Sequence, residues 1–156
     1  MSKSKLFWPL ALSLLLADCT TKQLAFYDLL PHMSRELLGG WLRFRLTFNT
    51  GAAFGVGSDH RWLLVFLGLT VLGILTWLYW MARDTDRRRV VALALICGGA
   101  MGNLVDRIRW SVGVIDFIDV GWWTFNLADV GITVGALLLV WSLRIESRRP
   151  ELRGLA

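Results

Sequence analysis

The sequence predicts an all-α membrane protein, with four transmembrane helices and a small extracytoplasmic β-cradle, built as one domain over residues 1–156. Two observations predict this class. Of the 156 residues, 55% are hydrophobic and 12% are aromatic, which exceeds what a soluble domain usually contains. The apolar residues also form long uninterrupted runs, which are typical of segments that cross a bilayer.

Four apolar segments are candidates for the membrane spans, at about residues 6–27, 62–82, 90–105 and 127–143. The second is uninterrupted and long enough to cross a hydrocarbon core of about 30 Å. Asp18 and Lys22 interrupt the first, and the third continues into polar residues at its far end.

The distribution of basic residues predicts the orientation. Ten Lys and Arg residues lie in the N-terminal tail, the loop between the second and third spans, and the C-terminal tail, whereas six lie in the two remaining loops. Because cytoplasmic loops carry the excess of Lys and Arg, both termini are expected to be cytoplasmic. The same clustering beside apolar segments argues against nucleic acid as the partner of this chain, whose net charge is +5.

The two outer segments, 31–61 and 106–125, contain strand patterns. Trp41-Leu-Arg-Phe-Arg-Leu-Thr-Phe48 alternates apolar and polar residues, and residues 110–125 are rich in aromatic and β-branched side chains. We therefore expect a small sheet at the outer interface, where tryptophan prefers to lie.

Polar side chains occur within or beside three spans, and the predicted topology brings them to a similar depth near the outer face. They are Asp18, Lys22, Asn103, Asp106, Arg107, Asn126 and Asp129. Polar groups inside a membrane are costly, so each needs a partner or a function. Gly98 with Gly102, and Gly131 with Gly135, have the four-residue spacing that lets helices approach closely.

A purely structural role is an alternative for the charged residues in the first and third spans. Asp18 and Lys22 are four residues apart, with the acid first, which favours an ion pair on one helix face. Asp106 and Arg107 could simply mark the interfacial end of the third span, with Asn103 bonding between helices.

The remaining acids have structural alternatives too. Asn126 could cap the fourth span with Asp129 at its third position, a role that could coexist with catalysis because the helix dipole stabilises an ionised acid. Asp116 and Asp119 could lie at a strand edge as solvated acids, the interpretation we favour for Asp119. The two cysteines, Cys19 and Cys97, lack the spacing of a disulfide framework or zinc site.

Five motifs resemble those of the lipoprotein signal peptidases, also called signal peptidase II. They are Asp18-Cys-Thr-Thr-Lys22, Phe48-Asn-Thr-Gly-Ala-Ala-Phe-Gly55, Gly98-Gly-Ala-Met-Gly-Asn-Leu-Val-Asp-Arg107, Val114-Ile-Asp-Phe117 and Phe125-Asn-Leu-Ala-Asp129. Together they extend over residues 18–129, in the order in which the family has them.

The resemblance implies an aspartyl endopeptidase of the bacterial inner membrane that uses neither metal nor cofactor. Its substrate is a prolipoprotein carrying diacylglycerol on a cysteine, which the enzyme cleaves just before that cysteine. The family's catalytic pair corresponds to Asp116 and Asp129. The supporting or substrate-binding positions are Asp18, Lys22, Asn49, Gly51, Asn103, Asp106, Arg107 and Asn126. Membrane lipids as partners, inhibition by the cyclic peptide globomycin and a monomeric state are further expectations.

Two close carboxylates suit amide hydrolysis because they can share one proton. The ionised acid takes a proton from water while the neutral acid polarises the scissile carbonyl. The pair titrates as a unit, and the sequence does not indicate which acid carries the proton.

Two other functions are compatible with parts of the pattern. The intramembrane acids and Lys22 could form a proton relay in a small transporter, although the inner halves of the spans are apolar. Alternatively, Lys3, Lys5, an apolar run and Leu16-Ala-Asp-Cys19 loosely resemble the signal peptide of a lipoprotein, with Asp18 in place of the expected small residue.

Overall fold

The computed structural model describes residues 2–29, 34–51 and 60–153, with side chains to residue 145. The element order is α1 (Lys3–Asp28), β1 (Ser34–Leu37), β2 (Leu42–Asn49), α2 (Arg61–Met81), α3 (Arg87–Arg109), β3 (Val114–Asp119), β4 (Thr124–Phe125) and α4 (Leu127–Arg153). The chain is thus mostly helical with a small sheet, as the sequence predicts.

Three of the described helices are long and apolar enough to cross a membrane: α2, α3 and the part Leu127–Ile145 of α4. Helix α1 has 26 residues, about 39 Å at the usual rise per residue, but Asp18 and Lys22 lower its hydropathy.

Large apolar side chains of α2, including Trp62, Phe66 and Trp80, remain more than 60% exposed. Exposed apolar surface of this extent is unusual on a water-soluble monomer and suits contact with lipid.

Helix α3 extends four residues beyond the predicted end of the third span, to Arg109. Asp106 and Arg107, assigned from the sequence to the outer segment 106–125, are therefore helical. At this end of α3, Arg61 donates to the carbonyls of Arg107 and Ile108, at 2.6 Å each. These bonds satisfy acceptors that a helix C-terminus leaves free.

Small residues let the helices of the bundle approach closely, as the glycine spacing predicts. A Cβ atom at Gly98 would lie 2.6 Å from the backbone oxygen of Ala11 in α1. A Cβ atom at Gly135 of α4 would lie 2.8 Å from the backbone oxygen of Ala92 in α3. No real Cβ occupies such positions, so α3 contacts both α1 and α4 through its backbone.

The four strands form one antiparallel sheet in the order β1-β2-β3-β4. Thr47 pairs with Asp116 and Arg43 with Asp119, and an irregularity lies between Phe44 and Thr47 of β2. Phe117 of β3 packs with Ala25 and Leu29 at the end of α1. Strand β3 is therefore held against the helical bundle, which places Asp116 beside the ends of α3 and α4.

Candidate active site

Asp116 lies on β3 and is almost fully buried, with 3% of its surface exposed. Asn126 donates its side-chain N–H to Asp116 Oδ1 at 2.6 Å. Asn49, at the end of β2, donates to Asp116 Oδ2 at 3.2 Å. Both carboxyl oxygens therefore accept hydrogen bonds from neutral amides, and no ion pair involves Asp116 within the described part of the chain.

Asp129 lies in the first turn of α4 and forms a reciprocal cap with Asn126. The backbone N–H of Asp129 donates to Asn126 Oδ1 at 3.0 Å, and the backbone N–H of Asn126 donates to Asp129 Oδ2 at 3.2 Å. This is the arrangement of a capping box. The capping role considered for Asp129 is thus present, and its other oxygen, Oδ1, accepts a bond from Asn103 Nδ2 at 2.8 Å.

Asn126 and Asn103 connect the two aspartates into one network. Asn126 bonds both carboxyl groups, through its side chain to Asp116 and through its backbone to Asp129. It also donates to Asn103 Oδ1 at 3.1 Å. Because each amide has a defined donor and acceptor side, these bonds fix the orientation of both asparagines. The two acids therefore lie on either side of a common pair of amides.

The surroundings of Asp116 favour its protonated form. Burial and, to a smaller extent, the negative charge of Asp129 raise the pKa of Asp116 to about 7, although hydrogen bonds from Asn126 and Asn49 oppose the rise. Desolvation and a like charge are the two usual causes of a raised carboxyl pKa. A carboxyl group with this pKa can gain or lose a proton near neutral pH.

A buried cluster of charges centred on Lys22 lies beneath the two aspartates. The ammonium group contacts Asp18 Oδ2 at 2.7 Å and Asp106 Oδ2 at 3.0 Å, and it donates to Asn103 Oδ1 at 2.9 Å. The predicted pair of Asp18 and Lys22 is thus formed and has a third, unpredicted member in Asp106.

The Lys22 cluster joins the helical bundle to the site. Asp18 Oδ1 accepts the backbone N–H of Ala128 at 2.8 Å, at the start of α4. Asp106 Oδ2 accepts the backbone N–H of Ile115 at 3.2 Å, next to Asp116 on β3. The cluster therefore holds both segments that carry the candidate catalytic acids.

Arg107 and Gly51 connect the end of α3 to the end of β2. Arg107 donates to the backbone oxygen of Gly51 at 2.8 Å, and the Gly51 N–H donates to Asn49 Oδ1 at 3.1 Å. This chain of bonds orients the Asn49 amide toward Asp116. The structure does not describe residues 30–33 and 52–59, so positions 52–55 of the motif Phe48–Gly55 lie outside the described residues.

Two cavities adjoin the two aspartates, and Trp122 and Trp123 line both. A cavity of about 430 Å³ extends over the sheet and includes Asp116, Asn49 and Gly51 in its wall. A cavity of about 330 Å³ lies against α4 and includes Asp129, with apolar walls that include Phe125, Val130 and Val134. Each acid therefore faces a different cavity.

Comparisons with known proteins agree with the motifs. The sequence model of the family described as Signal peptidase (SPase) II matches residues 10–145. The chain is 37% identical over 146 residues to the lipoprotein signal peptidase of Syntrophomonas wolfei, covering 93% of this chain and 97% of the relative. It is 38% identical over 143 residues to the lipoprotein signal peptidase of Mycobacterium leprae, covering 87% of this chain and 70% of the relative.

The chain belongs to the signal peptidase II family.

The fold agrees with this assignment. A bacterial membrane enzyme solved by the in meso method at 2.3 Å resolution superposes with a TM-score of 0.82 and 26% identity, over 88% of this chain and 87% of that one. A second, at 1.9 Å resolution, has a TM-score of 0.78 and 27% identity, over 86% and 89% of the two chains. The family and the apolar helices together indicate a bacterial integral-membrane peptidase that acts on prolipoproteins.

The two alternative functions considered from the sequence can now be compared with these findings. The family assignment argues against the interpretation as a small transporter. Residues 16–19, considered as a lipidation site, lie inside the continuous helix α1.

The prediction made for Asp119 from the sequence was wrong. It was expected to be a solvated acid, yet only 1% of its surface is exposed. Its Oδ2 lies 3.2 Å from Arg45 Nε and 3.4 Å from Arg43 Nε, and its Oδ1 accepts the Gly121 N–H at 2.7 Å. The reason is the pairing of β2 with β3, which places Arg43 opposite Asp119, with Arg45 two residues further along β2.

Sequence reasoning also missed two residues that shape this signal peptidase II site. Thr47 donates its hydroxyl to the backbone oxygen of Asp116 at 3.2 Å, and Arg61 holds the end of α3 through its two carbonyl contacts. The alternating pattern at 41–48 indicated that Thr47 belongs to a strand, but its partner depends on the register of that strand. Nothing in the sequence indicated the contacts of Arg61.

Proposed function

We propose that this protein is an aspartyl endopeptidase that removes the signal peptide from diacylglyceryl-modified prolipoproteins by cleaving before the lipidated cysteine. The observation that carries the proposal is that one residue, Asn126, hydrogen-bonds both Asp116 and Asp129. Two carboxyl groups held by a common partner, next to two open cavities, are the elements needed for acid–base hydrolysis.

In the proposed mechanism, Asp116 carries the shared proton and Asp129 is ionised. Burial and the charge of Asp129 favour the neutral form of Asp116, and the N-terminus of α4 stabilises a negative charge on Asp129. Asp129 removes a proton from the attacking water, and Asp116 donates its proton to the carbonyl oxygen of the scissile amide. The proton taken by Asp129 then passes to the leaving nitrogen, the C–N bond breaks, and one hydroxyl proton of the tetrahedral intermediate returns to Asp116 as the new carboxyl group forms.

The supporting residues position these two acids. Asn49 and Asn126 orient Asp116, Asn103 orients Asp129, and Arg107 with Gly51 orients Asn49. Lys22 pairs with Asp18 and Asp106, and both acids also accept a backbone N–H, from α4 at Asp18 Oδ1 and from β3 at Asp106 Oδ2. Their proposed role is therefore to fix the separation of the two acids.

The two cavities suit the two parts of the proposed substrate. The cavity over the sheet offers Asn49, Thr47 and Thr124 to a peptide backbone. The apolar cavity along α4 suits acyl chains that remain in the bilayer. A scissile bond between them would lie within reach of both acids.

We further propose that α1 is the fourth transmembrane helix, which gives four spans with both termini in the cytoplasm and the site near the outer face of the inner membrane. Its charged residues within the bundle are paired and buried: Asp18 is 0% exposed and Lys22 is 2% exposed. Paired charges facing the bundle interior are tolerated within a membrane. One chain contains the whole network, so a monomer is sufficient.

The test is cleavage of a diacylglyceryl prolipoprotein by the purified protein in detergent or nanodiscs, with mass spectrometry of the products. We expect a new N-terminal lipidated cysteine, the same rate with a chelator present, and inhibition by globomycin. Asp116→Asn and Asp129→Asn should each lower the rate at least about 1,000-fold, with each variant still inserted in the membrane. Normal cleavage by either variant would contradict the catalytic pair.

A further inference from the structure

A second polar cavity lies at the opposite end of the helical bundle, between the connection from α2 to α3 and the inner part of α4. Its volume is about 470 Å³, and its polar lining residues are Arg83, Thr85, Asp86, Arg87, Arg88 and Ser142. Helix α3 extends 23 residues, about 35 Å at the usual rise, from this cavity to Arg109, and its residues in the candidate active site, Asn103 and Asp106, lie toward that far end. The two sites are therefore separate.

The cavity has an excess of positive charge. Three guanidinium groups line it against one carboxylate, Asp86. Asp86 Oδ1 already accepts the backbone N–H of Arg89 at 3.2 Å, as the cap of α3. Among the side chains that the structure describes, no ion pair involves Arg83, Arg87 or Arg88. An anion that accepts several hydrogen bonds is the complementary ligand.

The depth of the cavity identifies the source of this anion. The apolar run of α2 ends at Met81 and the buried apolar residues of α3 begin at Val90, so the arginines lie where the hydrocarbon region ends. The Arg88 guanidinium lies over the ring of Trp141 of α4, 4.9 Å from its centroid. Trp141 is 51% exposed, and tryptophans of this kind lie at the level of lipid headgroups.

We propose that this cavity binds the phosphodiester headgroup of an anionic phospholipid, such as phosphatidylglycerol. Arg83 and Arg87 donate to the phosphate oxygens, and Arg88 is held beside them by Trp141. The acyl chains extend along the exposed apolar side of α4, where Leu137 is 68% exposed. The arginines then have a role beyond setting the orientation of the chain, because they bind one lipid at a defined place.

The test measures binding of defined lipids to the purified full-length protein in detergent, by native mass spectrometry and by the shift in melting temperature. Phosphatidylglycerol should remain bound and raise the melting temperature, while phosphatidylcholine should do neither. Glycerol phosphate and inorganic phosphate should give no comparable stabilisation. Equal stabilisation by the soluble phosphates would contradict a lipid site, and equal retention of phosphatidylcholine would contradict anion recognition.

Two matched double variants identify the site. Arg83→Gln with Arg87→Gln should weaken phosphatidylglycerol binding at least about tenfold. Arg35→Gln with Arg109→Gln, which removes the same charge at the other end of the molecule, should leave binding unchanged. The single variants R83Q and R87Q, at exposed positions, should each weaken binding at least about threefold if the double variant is unstable. Unchanged binding in these variants, or equal loss in the control, would overturn the proposal.

Discussion

The two acids of strand β3 are both buried, yet their partners are of opposite kinds. Among the described residues, the carboxyl group of Asp116 accepts hydrogen bonds only from the neutral amides of Asn49 and Asn126, and the charge of Asp129 raises its pKa. Asp119, three residues later, contacts two guanidinium groups and the backbone N–H of Gly121. Because they are three residues apart, the two side chains point to opposite faces of the strand.

The partners of a buried acid decide whether its charge is compensated, and the two acids of β3 differ in this respect. Cations beside a buried carboxylate compensate its charge and make it a fixed component of the fold. Amides beside a carboxyl group hydrogen-bond it without supplying a full compensating charge, so burial and the charge of Asp129 together raise the pKa of Asp116 to about 7. Only the second arrangement leaves a proton available for transfer near neutral pH.

Apart from loss of either candidate catalytic acid, Asn126→Ser is expected to lower the rate of cleavage most. Serine retains the capability to cap α4, but its short hydroxyl does not reach Asp116 and Asn103. We expect about a 100-fold lower rate of cleavage, because the two acids lose their common partner and their relative position. Initial rates on a diacylglyceryl prolipoprotein measure the effect, with melting temperature as the check that the fold persists. A rate within twofold of the native protein, about the scatter of such assays, would mean that the bridge is dispensable.

Asp119→Asn should affect stability rather than chemistry. It removes the compensating charge from Arg43 and Arg45, and we expect the free energy of unfolding to fall by about 2 kcal/mol. The loss is moderate because the side chains of both arginines are partly exposed, at 32% and 48%, and water can solvate them. Denaturation of the purified variant measures the loss, and cleavage below its melting temperature should remain substantial. Complete inactivity of a folded D119N protein would mean that the roles of the two acids are misassigned.

Arg45→Gln should have the smallest effect of these variants, and it should act on stability. Arg45 is about half exposed and Arg43 remains beside Asp119. We therefore expect the free energy of unfolding to fall by less than about 1 kcal/mol. Denaturation in parallel with D119N provides the comparison. A larger loss for R45Q than for D119N would show that the arginine acts through other contacts than Asp119.

Local patterns predicted much of this fold. Hydropathy indicated the helices α2, α3 and α4, alternation at 41–48 indicated β2, and glycine spacing indicated close contacts between α3 and its neighbours. These features depend on residues near one another in sequence. The four-residue spacing of Asp18 and Lys22 likewise predicted an ion pair that the structure contains.

Contacts between distant segments were less predictable. The ion pair of Lys22 with Asp106 depends on how α1 and α3 are rotated against each other. The burial of Asp119 depends on the register of β2 against β3, including the irregularity between Phe44 and Thr47. The positions of the candidate catalytic acids came from the resemblance to a family, since spacing alone does not bring Asp116 to Asp129.

The pH dependence of kcat/KM tests most directly whether Asp116 and Asp129 share one proton during cleavage. With the pKa of Asp116 raised to about 7, rising pH removes the shared proton, so kcat/KM should fall above about pH 7 with the loss of one proton. The profile is best measured from about pH 5 to about pH 9, with Asp119→Asn as a control that should retain the same alkaline limb. A rate that stays constant to the alkaline end of this range in the native protein would contradict the shared proton.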